Sequence, residues 1–211
     1  MNKRNHKTYL RDKQNLRVRL ARKPYEDQPD SMFRDANIHY RIAERTRAIG
    51  FGGIGAMHKL VCKLGLDRAI NKIVRLLRRH VPYWESDHVL NLAYNVLTGG
   101  TCLEDIERLR NDETYMNGLD AERVPDPTTA GDFLRRFDQD SILALQETFN
   151  EARTKVWALQ EASFRKEAII DIDGTIAGTT GECKEGMDIS YKGIWGYAPL
   201  IVSLANTNEV L

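Results

Sequence analysis

Asp171 and Asp173 are the residues of this chain best placed to do chemistry. They stand two apart in the run Ala168-Ile169-Ile170-Asp171-Ile172-Asp173-Gly174-Thr175. A short apolar stretch with β-branched residues, closed by glycine, has the pattern of a buried strand. On a strand, residues i and i+2 point to one face. Two carboxylates on one face of a buried strand need compensation, because an unpaired buried charge is costly. A hard divalent cation such as Mg²⁺ takes oxygen ligands of this type and keeps water sites open for a phosphate. The alternative is that one aspartate caps the turn at Gly174-Thr175 while the other faces solvent.

A second set of groups suits nucleic acid. Tyr191, Lys192, Trp195 and Tyr197 interleave aromatic rings with a cation. Such groups stack on bases and contact phosphate, or pack a hairpin against a helix. Residues 1–25 carry nine basic side chains, among them Lys3, Arg4, Lys7, Arg11, Arg17 and Arg19, against the single acid Asp12. The overall net charge of +1 therefore hides an arm of +8 on a body of −7. Lysines and arginines in a mobile arm neutralise phosphates with salt-dependent affinity and little sequence reading. Arg135 and Arg136 are adjacent in the run from Thr128 to Phe137, which reads as a short helix and a candidate recognition helix after the turn at Pro127. Phe133, Leu134 and Phe137 would equally suit a packing helix.

The elements that position these groups follow from periodicity. The arm ends in the polar run 24–30, which holds two prolines and reads as a linker. Leu66, Ile70, Ile73 and Leu77 predict an amphipathic helix stopped by Pro82. A further helix is expected over 86–97, punctuated by Gly99-Gly100. Thr101 with Glu104 three residues on predicts a capping box. The spacing of Ile142, Leu145, Phe149, Ala152, Val156 and Leu159 predicts a long core-facing helix; as a coiled-coil seam it would cover fewer than three heptads. At about Lys166 the period changes to strands, with a second at 200–204 and a third beginning at Glu209. The fold class is therefore mixed, with a helical body followed by strands.

At 42% hydrophobic and 29% charged over 211 residues, the chain is neither disordered nor a membrane bundle. No apolar run nears the roughly 20 residues that span a bilayer, and no signal-peptide core follows the charged start. Three cysteines without a C-x-x-C pair suit a reducing, cytoplasmic compartment. The five histidines show no zinc-like spacing.

The string Asp171-Ile172-Asp173-Gly174-Thr175 resembles the first motif of haloacid-dehalogenase-like phosphatases. There Asp171 would be nucleophile, Asp173 acid/base and Thr175 a phosphate contact. That family opens its chain with the motif, whereas here it follows a long helical stretch.

A broader resemblance is to bacterial insertion-sequence transposases with a DDE catalytic domain. Lys192-Gly193-Ile194-Trp195-Gly196-Tyr197-Ala198-Pro199-Leu200 is similar to their K-G-x-x-G-Y-x-P-L strand segment. Gly99-Gly100 followed by Leu103-Glu104-Asp105 and Leu109-Arg110-Asn111-Asp112 resembles their G-G...L-E-D-x-x-x-L-R-x-D helix. Pro125-Asp126-Pro127-Thr128-Thr129 with Phe133-Leu134-Arg135-Arg136-Phe137 resembles their P-S-P-T-T...F-L-R-R-F segment. Three motifs in family order, over roughly positions 50–211, outweigh the single D-x-D-G-T string.

The resemblance implies a basic arm and linker at 1–30, a helical N-terminal domain at 31–165 and the start of a truncated RNase H-like α/β domain at 166–211. It implies a two-metal site for Mg²⁺ or Mn²⁺, with Asp173 as first family acid and metal ligand and Asp171 as a same-face neighbour that tunes or shares the site. It further implies DNA as partner, both the element's terminal inverted repeats and the target, in a nucleoid-associated homodimer. Lys192 and Trp195 join the arm, Arg135 and Arg136 as DNA-binding candidates. Asp188 and Glu209 come too early for the second aspartate and the final glutamate of the triad. The expectation is an N-terminal fragment without activity alone; a DNA-binding or oligomerising remnant is the alternative.

Overall fold

The basic N-terminal stretch is helical: α1 spans Lys3–Ala21. The computed structural model describes residues 3–21, 29–35, 51–181 and 184–211. Leu16 of α1 is buried in the main core, and Leu20, one turn on, packs against the same cluster. Lys13 Nζ lies 3.3 Å from Glu107 Oε1. The expected mobile arm is thus an anchored helix, because an i, i+4 leucine pair gives it an apolar face to bury. Most of the expected linker, residues 24–28, lies outside the described residues, as do residues 22 and 23 of the arm.

Among the described residues the chain continues through α2 (Ile54–Leu64), α3 (Leu66–Ile73), α4 (Glu85–Leu97), α5 (Ile106–Arg110), α6 (Glu113–Gly118), α7 (Pro127–Leu134) and α8 (Gln139–Ala158). Strands follow: β1 (Ile170–Gly174), β2 (Ala177–Gly178), β3 (Asp188–Ile189), β4 (Trp195–Tyr197), β5 (Leu200–Leu204) and β6 (Glu209–Val210). The mixed fold class is borne out in this coarse form. Two compact units separate, Met1–Arg153 and Thr154–Leu211.

In the first unit, Phe33, Leu90, Tyr94, Leu109, Tyr115 and Leu119 belong to one core cluster, and Ile70, Val74, Val89 and Phe133 form a second. Gly65, at φ +71°, turns α2 into α3 in a left-handed conformation open to glycine. The helix expected through Leu77 stops at Ile73 instead. Glu85, only 2% exposed, accepts hydrogen bonds from the backbone N–H groups of Leu76 at 3.1 Å and Leu77 at 2.9 Å. Those donors are taken from the helical ladder by a buried carboxylate, so tertiary bonding overrides the 3.6-residue period. Asp87 ties residues 32–33 to the start of α4, accepting from the N–H groups of Met32 (2.9 Å), Phe33 (3.1 Å) and Trp84 (2.8 Å).

The expected capping box of Thr101 and Glu104 is shifted one residue along, to Cys102 and Asp105. Asp105, not Glu104, accepts from the N–H groups of Thr101 at 2.8 Å and Cys102 at 3.2 Å, because the first turn is a 3₁₀ turn at Leu103–Asp105. α7 starts on a side-chain cap, with Asp126 Oδ1 accepting from Thr129 N–H at 2.9 Å and Pro127 at the first helical position. The stripe of α8 is only partly core-facing. Ala152 is buried and Leu145 packs on the second cluster, but Ile142 and Phe149 are exposed.

His88 is 4% exposed, stacks on Phe133 at 4.3 Å between centroids, and its Nδ1 has no hydrogen-bond partner among the described residues. Burial, helped by the Arg136 charge, pushes its pKa down to about 4. The folded state thus binds this proton less readily than the unfolded one, so the group costs stability as pH falls from about 6.5 towards 4. His88→Phe should remove that slope, which amounts to at most ~1.4 kcal/mol per pH unit. Urea melts of both proteins at pH 7 and pH 5 check it: parallel losses in the two would show that another group carries the acid sensitivity.

Candidate functional site

β1 pairs antiparallel with β5, and β5 with β6, giving a three-stranded sheet of order β1-β5-β6. The register sets Asp171 opposite Ser203 and Asp173 opposite Ile201. Directly opposed residues share a face, so Asp171, Asp173, Ser203 and Ile201 form one face, and Ile170, Ile172, Leu200, Val202 and Leu204 the other. Leu204 is buried, and Trp157, Phe164, Ile170 and Leu204 line a cavity of about 320 Å³.

The strand expected to be buried is exposed along all five residues, with Ile172 at 58% and Leu200 at 67% exposure. Within its own unit the sheet has no layer over most of its length. The two carboxylates are consequently hydrated, and the desolvation argument for a compensating cation falls away. What remains is the donor set: two adjacent hard oxygen ligands on one open face. No cluster of three His, Cys, Asp or Glu suited to a metal occurs among the described residues. Glu209 lies on the opposite face, paired with Leu204, and accepts from Trp157 Nε1 at 3.0 Å. Asp188 sits in the second sheet, where its Oδ1 accepts from Ile189 N–H at 2.7 Å.

The second sheet, of order β2-β4-β3, carries the aromatic groups. Tyr191 is 88% and Trp195 41% exposed, and Lys192 Nζ lies 5.4 Å from the Tyr191 ring centroid. Tyr191 is therefore open, whereas Trp195 and Tyr197, the latter 37% exposed, are more than half covered. Gly196 makes the close approach of β4 to β2 possible: a Cβ there would overlap the Ala177 carbonyl oxygen and come within 2.9 Å of Gly178 Cα. Gly196→Ala should separate β2 from β4 at a cost of roughly 1–3 kcal/mol. Amide exchange at Thr179, whose N–H donates to Trp195 O at 3.1 Å, should speed up at least tenfold, and unchanged exchange would show the strands tolerate the methyl.

The other basic candidates are scattered. Arg11 and Arg17 are exposed on α1; Lys3, Arg4, Lys7 and Arg19 lie on the same helix, with their side chains outside what is described. Arg135 pairs with Asp132 at 2.6 Å at the end of α7, and Arg136 is exposed. Phe133 of α7 is buried, as the packing alternative for this helix requires, while Leu134 is exposed.

The family model described as transposase DDE domain group 1 matches residues 47–211, most of the chain. This chain belongs to that transposase family. No curated protein and no solved structure matches it. Membership brings transposition chemistry and DNA as the partner class, and DDE transposases typically use divalent metals. The donor set of β1 fits such an ion, since Mg²⁺ is held by one or two carboxylates and keeps several waters. No helix among the described residues is long and apolar enough to cross a membrane.

Sequence reasoning passed over the polar groups inside the transposase's helical unit. Glu85 and Asp87 have no periodic signature, because their partners are backbone N–H groups of distant or extended segments. Asp87, at the third position of α4, had one available sign in the capping-box spacing from Trp84.

Proposed function

We propose that this chain is part of a bacterial insertion-sequence transposase that binds element ends and target DNA as a homodimer in the nucleoid. In this reading a basic segment at 1–30 and a helical domain at 31–165 precede residues 166–211, which open an RNase H-like DDE domain. The observation that carries it is the pairing of Asp171 and Asp173 on one open face of β1, inside the region matched by the family model. The antiparallel order β1-β5-β6 supports it as the opening meander of such a sheet. It disfavours the phosphatase reading, which needs this strand inside a parallel, helix-covered sheet.

Asp173 would hold the ion, and Asp171, on the same face of β1, would complete or tune its ligand set. When bound, the ion neutralises the phosphodiester and activates the attacking oxygen for in-line displacement. Lys192 and Trp195 hold a DNA end by phosphate contact and base stacking. Lys3, Arg4, Lys7, Arg11, Arg17 and Arg19 anchor the flanking duplex, with Arg135 and Arg136 on a separate element.

With two acids on the face and no third among the described residues, the chain binds DNA without cutting it. Purified protein should shift end-labelled element DNA in Mg²⁺ or Mn²⁺ yet leave both strands intact. Metal-dependent cleavage that disappears in Asp173→Ala would overturn the inactivity. Absence of any binding would overturn the DNA-directed function.

A further inference from the structure

Between the extended segment after α3 and the flank of α7, the helical unit holds a cleft of about 780 Å³. Its lining includes Arg78, Arg79, Arg110, Arg123 and Arg136, against only two acids, Asp126 and Asp132. Both acids are engaged: Asp126 caps α7 through Thr129, and Asp132 pairs with Arg135. The guanidiniums are graded in depth. Arg78, Arg79 and Arg136 are exposed at the rim, Arg110 is half-buried, and Arg123 is 4% exposed at the floor. A Coulombic well of this shape, with low-dielectric walls, concentrates anions. Arginine's planar fork is the donor arrangement suited to phosphate oxygens.

The cleft also holds an unsatisfied polar group. His88 lines it, is 4% exposed, and its Nδ1 has no hydrogen-bond partner among the described residues. Its ring and that of Phe133 lie face to face and buried, so neither offers a free surface on which a base could stack. The volume lies within the roughly 300–1,000 Å³ of small-ligand sites, too small to take a duplex. Leu20 of α1 lies at the edge, so the cleft opens beside the basic helix.

We propose that this cleft binds the phosphates of one DNA strand without reading its bases, as a second DNA contact separate from the face of β1. Arg78, Arg79 and Arg136 take the strand at the rim, and Arg123 sets the charge of the floor, where Arg110 is paired with Glu107 at 3.0 Å. The proposal rests on the DNA-binding reading above and adds the residues that carry it in this unit.

The test is fluorescence anisotropy of the full chain with two labelled single-stranded DNA 20-mers of unrelated sequence, from 50 to 200 mM salt. The R78Q/R79Q/R136Q protein should bind both oligonucleotides at least tenfold more weakly, with the slope of log K against log salt reduced by about two. Arg75→Gln, an exposed arginine outside the cleft lining, should change neither. Phenylglyoxal labelling of the wild type needs no variant: bound DNA should protect Arg78, Arg79 and Arg136. A wild type that binds DNA while the triple variant keeps its affinity and the three arginines stay reactive would overturn the cleft alone. A wild type that binds no DNA would overturn the DNA reading with it. An RNA oligonucleotide that competes more strongly than DNA of the same sequence would overturn the assignment to DNA.

Discussion

Replacing Lys3, Arg4, Lys7, Arg11 and Arg17 of α1 together by glutamine lowers duplex DNA affinity on the order of 10²-fold near 0.1 M salt and flattens the salt dependence by about four units of slope. Each lysine or arginine that neutralises a phosphate releases close to one condensed counterion, so losses of this size follow from five contacts. The substitutions keep the helix, since glutamine is as good a helix former as lysine or arginine. Deleting residues 1–25 is the poorer experiment: it would strip Leu16 and Leu20 from the core, and weakened binding could then come from a damaged fold. Anisotropy titrations at four salt concentrations read the effect. Equal slopes in the variant and the wild type would show that α1 serves the core and not the DNA.

Glu85→Ala has the largest expected effect on stability. The carboxylate is 2% exposed and accepts from Leu76 N–H, Leu77 N–H and His80 Nε2, the last at 3.2 Å. Truncation leaves the two backbone donors without their acceptor, at about 1–3 kcal/mol for each buried group. The sum for the two, roughly 2–6 kcal/mol, is a large part of the ~5–15 kcal/mol that holds a typical domain. Glu85→Gln keeps one acceptor oxygen and should recover part of the loss. Thermal melts of the three proteins check the order; an alanine variant as stable as the wild type would show that water or another group serves Leu76 and Leu77.

The fold was legible where period and punctuation decide it. α4 and α8 fell where the apolar spacing put them, and β1, β5 and β6 where β-branched runs and the turn at 205–208 put them. It was illegible where a distant side chain intervened. The period Leu66-Ile70-Ile73-Leu77 favours a longer helix, but it ends at Ile73, and Glu85 takes the amides of Leu76 and Leu77. Burial was misjudged for β1, because an apolar run reports what a strand can bury and not whether a layer is there to bury it. Ile172 reads the same in either case and is 58% exposed.

Of the candidate site, the same-face relation of Asp171 and Asp173 needed only strand geometry and is present in the register with β5. The arginine cleft was not legible. Arg78-Arg79, Arg110, Arg123 and Arg136 are separated by up to 58 positions and share no period, so only the packing of α7 near the segment after α3 brings them together.

The central claim is that the open face of β1 holds a divalent cation. Fe²⁺ with ascorbate and peroxide cuts a polypeptide close to where the metal binds, and mass spectrometry reads the cut sites. The prediction is cleavage clustered at residues 171–173 and at the paired residues 201–203, suppressed by excess Mg²⁺ and lost in D171N/D173N. Cuts elsewhere, or cuts at β1 that survive in the double variant, would contradict it.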